Sequence, residues 1–178
     1  MLILSLNVRG LGKDERAGDL SKLIYDTSPA IILLQETMSP ASIAIETIAN
    51  LLPGWELYAI NALGLTGGLL SCSRIVHISP FKTAWGVLME GKLGFLNIDV
   101  RILNMYAPYN KRDCFRASLS YSGLNTSNLN LAGYLNFTTS PTEIWGHNAK
   151  LDSMVDFFIH LLRIFDLVDI IPPVLEPT

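Results

Sequence analysis

The residues of this chain best suited to chemistry stand at the ends of short apolar runs. Leu2-Ile3-Leu4-Ser5-Leu6 leads to Asn7, and Ala30-Ile31-Ile32-Leu33-Leu34 leads to Gln35-Glu36. Val100-Arg101-Ile102-Leu103 leads to Asn104-Met105-Tyr106-Ala107-Pro108, and Leu129-Asn130-Leu131-Ala132 leads to Gly133-Tyr134-Leu135-Asn136-Phe137. Short apolar runs bounded by breakers read as buried strands. The ends of neighbouring strands can gather at one rim of a sheet, so Asn7, Glu36, Tyr106 and Asn136 are expected to meet there. A carboxylate among neutral amides and a phenol suits a hard cation such as Mg²⁺ together with a phosphate. Each residue also has a plainer reading. Glu36 can be an exposed strand-end acid or the partner of Arg9. Asn7 and Asn136 can be turn residues, since Asn tolerates left-handed geometry. Tyr106 can be a half-buried strand aromatic.

Helices and strands must hold these residues in place. Apolar spacing predicts helices over residues 14–25, with Leu20, Leu23 and Ile24 on one face, and over 39–51, 111–119 and 154–165. Ser39 is the expected N-cap of the second helix, Pro40 its first-turn residue, and Pro53-Gly54 its stop. Strands are expected over residues 30–34, 55–60, 68–70, 75–78, 85–89, 95–106 and 128–132. Gly64 and Gly67 are expected in turns, with another turn near Gly91-Lys92. Asn130 interrupts the last strand's apolar pattern and is costly if buried without a partner. This mixture of elements fits a layered α/β domain.

The ordered motifs resemble the exonuclease-endonuclease-phosphatase superfamily, and within it the N-terminal endonuclease domain of plant-type non-LTR (LINE-like) retrotransposons. Leu2-Ile3-Leu4-Ser5-Leu6-Asn7-Val8-Arg9-Gly10-Leu11-Gly12 is similar to the opening "ILSWNVRGLG" of that domain. Leu34-Gln35-Glu36-Thr37 matches "LQET", and Asn104-Met105-Tyr106-Ala107-Pro108-Tyr109 matches "NxYAPY". Gly133-Tyr134-Leu135-Asn136-Phe137 stands where the family has "GDLNF". The resemblance implies one domain over residues 1–178, built as a four-layer α/β sandwich of two β-sheets flanked by helices. It implies Mg²⁺ held by Glu36 and Asn7, a phosphate contacted by Tyr106 and Asn136, and Arg9 placed to meet the DNA substrate. Residues 166–170 resemble the lead into a late family strand.

Two positions depart from the pattern, Leu6 for a family Trp and Tyr134 for a family Asp. By the resemblance, that Asp works with the His of a Ser-Asp-His motif to orient and deprotonate the attacking water. A phenol is a poor base at neutral pH and cannot offer an imidazole a carboxylate. No Ser-Asp-His motif surrounds His77, His147 or His160, so the sandwich is expected to be incomplete at its C-terminus and activity weak or lost. Three functions stay open: a Mg²⁺-dependent DNA endonuclease, a non-catalytic retroelement remnant, and a nucleic-acid-binding module.

Composition sets further bounds. The chain has 178 residues, 49% hydrophobic, and a net charge of −3. Its mean hydropathy of +0.34 is at the apolar end for a soluble domain. Truncation, which strips core-facing residues of their partners, would explain the excess and predicts poor solubility. The negative balance argues mildly against tight independent DNA binding, since phosphate neutralisation supplies much of that affinity. Lys13 and Arg16, and later Lys111, Arg112 and Arg116, are local basic residues that also suit a solvated surface. Cys72 and Cys114 lack zinc-type spacing and read as reduced residues of an intracellular protein, nuclear if it acts as the family does. No membrane span is expected, because His160 and Arg163 interrupt the longest apolar candidate.

Overall fold

The computed structural model describes residues 2–12, 14–63, 66–74, 78–83, 85–93, 97–110, 112–121, 128–140 and 152–170. These fall into two compact units, Met1–Tyr106 with Asn128–Tyr134, and Ala107–Ser127 with Leu135–Thr178.

The first unit contains β1 (Ile3–Asn7), α1 (Asp14–Thr27), β2 (Ile31–Gln35), α2 (Ala41–Leu51), β3 (Glu56–Leu63) and β4 (Thr66–Ser73). It continues with β5 (Ile78–Lys82), β6 (Gly86–Leu93), β7 (Ile98–Tyr106) and β8 (Leu129–Tyr134). One sheet has the order β1-β2-β4-β3 and the other β5-β6-β7-β8. β1 and β2 pair in parallel, as do β7 and β8, and the remaining neighbours are antiparallel. A parallel pair needs a crossover, and α1 supplies the one between β1 and β2. All five residues of β2 are buried. Its alternate side chains serve two cores. Ile32 and Leu34 pack with Leu20 of α1 and with Ala44 and Ile48 of α2. Ile31 and Leu33 pack with Val87, Met89, Val100 and Ile102 of the facing sheet. A strand covered on both faces therefore reads as an uninterrupted apolar run. Truncating Leu33 there to Ala is expected to cost about 2–5 kcal/mol.

The second unit contains α3 (Arg112–Tyr121) and α4 (Val155–Ile164). Phe137 meets Phe158 edge-on, with ring centroids 5.4 Å apart. Arg116 lies over the ring of Phe157 at 5.0 Å. Met154, Val155, Phe158 and Leu161 supply buried apolar surface. The expected α/β class, with two β-sheets and helices, is observed: the described residues form two sheets and four helices. No described helix is long and apolar enough to cross a membrane.

Several local expectations are corrected. Ser39 does not cap α2; its hydroxyl donates to Thr37 O, and Asn61 Oδ1 accepts from Ala41 N instead. Gly91 and Lys92 are not a turn but paired residues of β6, opposite Val100 and Asp99. The ion pair between Arg101 and Glu90, at 2.6 Å, reinforces that register. Gly67 lies within β4, while Gly64 is outside the described residues. Asn130 is not orphaned, because its amide donates to Arg101 O and Asn128 O. Of the strand expected at 75–78, only Ile78 is described, as the first residue of β5.

Candidate functional site

The two parallel pairs bring four strand ends together in the first unit. Asn7 ends β1 opposite Gln35, and Tyr106 ends β7 opposite Tyr134 of β8. Glu36 follows β2 directly, and the Tyr106 hydroxyl donates to its Oε1 at 3.0 Å across the two sheets. The ring of Tyr134 stacks on that of Tyr106, with centroids 6.1 Å apart and planes 19° apart. Glu36 and Tyr106 therefore meet, and Tyr134 stands beside them. The alternative partner of Glu36, Arg9, makes no ion pair with it; the Arg9 side chain is exposed.

The backbone at this rim is unusual. Arg9, Glu36 and Met38 have φ of 46°, 53° and 51°. Left-handed geometry costs an ordinary residue on the order of 1–2 kcal/mol and persists only where its surroundings enforce it. Here the loops after β1 and β2 zip together. Val8 N donates to Gln35 O at 3.0 Å, Gly10 N to Glu36 O at 2.7 Å, and Leu11 N to Thr37 O at 3.0 Å. From the other side, Thr37 N donates to Gly68 O and Met38 N to Gly67 O. Gly68 itself has φ of +84°, and a β-carbon there would collide with Thr37 Oγ1. The Gly67-Gly68 pair thus holds the Glu36 loop from within β4.

Asn7 combines both of its readings. Its Oδ1 accepts from Arg9 N at 3.2 Å, which is an Asx turn. Its Nδ2 is buried and has no protein partner, and so has Thr37 Oγ1. These atoms belong to the two loops joined at Glu36. Buried polar side-chain atoms are normally paired, which singles these two out. Beside Asn7 a cleft of about 320 Å³ is lined by Leu6, Arg9, Arg16, Asp19 and neighbouring residues. Arg16 braces its floor by donating to Val8 O and Gly10 O.

Asn136 belongs to the second unit. Its φ is 55°, and its Nδ2 donates to Ala107 O at 2.6 Å. A carbonyl can only accept, so Nδ2 is the atom facing it. Arg112 donates to Asn136 O at 3.1 Å and pairs with Asp152, and its guanidinium lies 5.8 Å from the Tyr109 ring centre. Burial by itself would raise the Asp152 carboxyl. The bond from Arg112, the Met154 backbone N–H and the guanidinium charge outweigh it and hold the group below its ordinary range. Elsewhere, burial pushes the Cys72 thiol up, which makes it unreactive.

Sequence reasoning passed over Gln35 and Asn104. Gln35 is 1% exposed and Asn104 0%, and Gln35 Nε2 donates to Asn104 Oδ1 at 2.8 Å. The available signal was an amide at the end of one apolar strand and another inside a second. Among the described residues no group of three or more His, Cys, Asp or Glu could hold a metal ion.

Solved structures share this fold. An AP endonuclease from Archaeoglobus fulgidus matches with a TM-score of 0.68 at 15% identity, over 92% of this chain and 71% of its own. An AP endonuclease from Leishmania major matches with 0.69 at 12% identity, over 92% and 66%. A 3'-5' exonuclease from Neisseria meningitidis matches with 0.66 at 19% identity, over 92% and 71%. No protein-family model and no curated protein sequence matches the chain.

Proposed function

We propose that the rim of the first unit is the remnant of a Mg²⁺-dependent DNA endonuclease site, of the kind found in plant-type LINE-like retrotransposons, with turnover impaired by Tyr134. The observation that carries the proposal is the bond from Tyr106 to Glu36, which joins the ends of two sheets through the two motif residues expected to handle a metal and a phosphate. The fold shared with AP endonucleases and an exonuclease supports a DNA-processing ancestry.

The residues present fit a hard cation held loosely. Glu36 offers one carboxylate, Asn7 a neutral amide oxygen, and Mg²⁺ characteristically uses one or two carboxylates and keeps several waters. When bound, Mg²⁺ would supply charge neutralisation at a phosphoryl oxygen. The orphaned Asn7 Nδ2 and Thr37 Oγ1 can each donate to a phosphate oxygen or to water. Tyr106 holds the Glu36 carboxylate in one orientation and presents its ring beside the same spot. Arg9 is free to meet a phosphate backbone. Asn136 enters as a phosphate contact by the resemblance alone. The weak step is proton removal from water, since a phenol in place of the family Asp offers no carboxylate to orient an imidazole.

The stacking of Tyr134 on Tyr106 favours a second reading, a nucleic-acid-binding module without turnover. In either case the expected partner is DNA inside the cell, in the nucleus if the chain acts as the family it resembles does. A plasmid-nicking assay with Mg²⁺, run beside Glu36→Ala, separates the readings. Slow nicking that disappears in Glu36→Ala supports the impaired enzyme. DNA binding that falls with salt, without nicking, supports the binding module. Neither binding nor nicking, together with melting unmoved by millimolar Mg²⁺, refutes both.

A further inference from the structure

The apolar layer between the sheets of the first unit ends in a pair of amides rather than in more hydrocarbon. Along β2, Ile31, Leu33 and Gln35 share one face; along β7, Ile102, Asn104 and Tyr106 do. The first members of each row are core side chains. The row then changes character. Gln35 Nε2 meets Asn104 Oδ1 at 2.8 Å and lies 3.2 Å from Ser5 Oγ on β1. Asn104 Nδ2 reaches Leu70 O at 3.2 Å and Ser71 Oγ at 3.1 Å, both on β4. Four strands are thus tied at one level, and just beyond it Tyr106, the last residue of β7, bonds Glu36, the residue that follows β2.

Stability alone does not call for this arrangement. A hydrogen bond formed on folding replaces bonds to water, so two apolar side chains of similar size would serve about as well. What amides add is direction. Hydrocarbon packing is non-directional and tolerates a small slide of one sheet over the other, whereas fixed donors and acceptors do not. The pair also sits one residue before Glu36 and two before Tyr106.

We propose that Gln35 and Asn104 are positioning residues, which fix the end of β2 against the end of β7 so that the Tyr106 hydroxyl meets the Glu36 carboxylate. Their importance to chemistry rests on the function proposed above; their effect on this bond does not, and the experiment measures the bond directly. Stabilities of Tyr106→Phe, Glu36→Ala and the double variant are measured by urea unfolding, in the natural chain and in a Gln35→Met/Asn104→Leu background. In the natural chain the two losses are non-additive. In the substituted background the non-additivity falls by at least half, while unfolding stays cooperative. Should the paired background not fold, Gln35→Met alone leaves Asn104 its bonds to β4 and is expected to show the same fall. Unchanged non-additivity overturns the proposal, because a merely structural pair would lower every stability equally. Strictly additive losses in the natural chain overturn it too, since there would be no bond to position. Mg²⁺-dependent melting, recorded on the same proteins, separates this from the functional reading. Coupling that depends on the amides in a chain indifferent to Mg²⁺ keeps the positioning role and removes the cation site.

Discussion

Replacing Glu36 by Ala or by Gly separates its backbone strain from its side-chain bond. With φ at 53°, Glu36 pays the steric penalty of left-handed geometry, roughly 1 kcal/mol or slightly more. Ala keeps that penalty and loses the Tyr106 hydrogen bond, a bond to a charged acceptor and so worth about 1.5–3 kcal/mol. Discounted for the half-buried setting, the Ala variant is expected to be about 1–2 kcal/mol less stable than the natural chain. Gly loses the same bond but removes the penalty, and it gives back part of the gain through greater freedom of the unfolded chain, about 0.5–1 kcal/mol. Glu36→Gly should therefore match or slightly exceed Glu36→Ala, by up to about 0.5 kcal/mol, although glycine normally destabilises. Urea unfolding at neutral pH measures the order, provided the denaturant slope is equal in both variants. An Ala variant more stable than the Gly variant by about 1 kcal/mol would refute the strain argument. Both variants should also lose any stabilisation by Mg²⁺.

Gly133→Ala should destabilise by more than about 3 kcal/mol, or prevent folding, because a β-carbon there collides with the Met105 carbonyl across the β7–β8 pair. A circular-dichroism melt within a few degrees of the natural chain would contradict this. Asp152 has its carboxyl held below the ordinary value of 3.8, so its contribution to stability is complete above that value and fades as pH falls below it. Asp152→Asn should lack that part of the acid-limb loss, and equal losses in both proteins between neutral pH and pH 2.5 would show that the ion pair with Arg112 is not its source. Tyr134→Asp should raise Mg²⁺-dependent nicking by less than about tenfold, since an acid–base unit works as a whole and one restored member recovers little. Full restoration by that single change would mean that the carboxylate needs no partner.

The sequence by itself carried the layered α/β class and the strand ends that bear Asn7, Glu36, Tyr106 and Tyr134. Those features are local: a strand covered on both faces must be apolar, and the first polar residue after it marks where the cover stops. Local signals failed where distant pairing competed with them. Gly91-Lys92 looked like a turn, but the ladder to Val100 and Asp99 and the nearby ion pair of Glu90 with Arg101 extend the strand through it. Ser39 looked like a helix cap, but Asn61, from a neighbouring strand, reaches the first helical N–H instead. Only the tertiary structure decided that Gln35 and Asn104, 69 residues apart, form one buried pair, and that Tyr106 donates to Glu36 across 70 residues. A hydrogen bond between sheets depends on how two separate ladders are brought face to face. No residue type or spacing along either strand encodes that alignment, because it is set by the packing of the whole core.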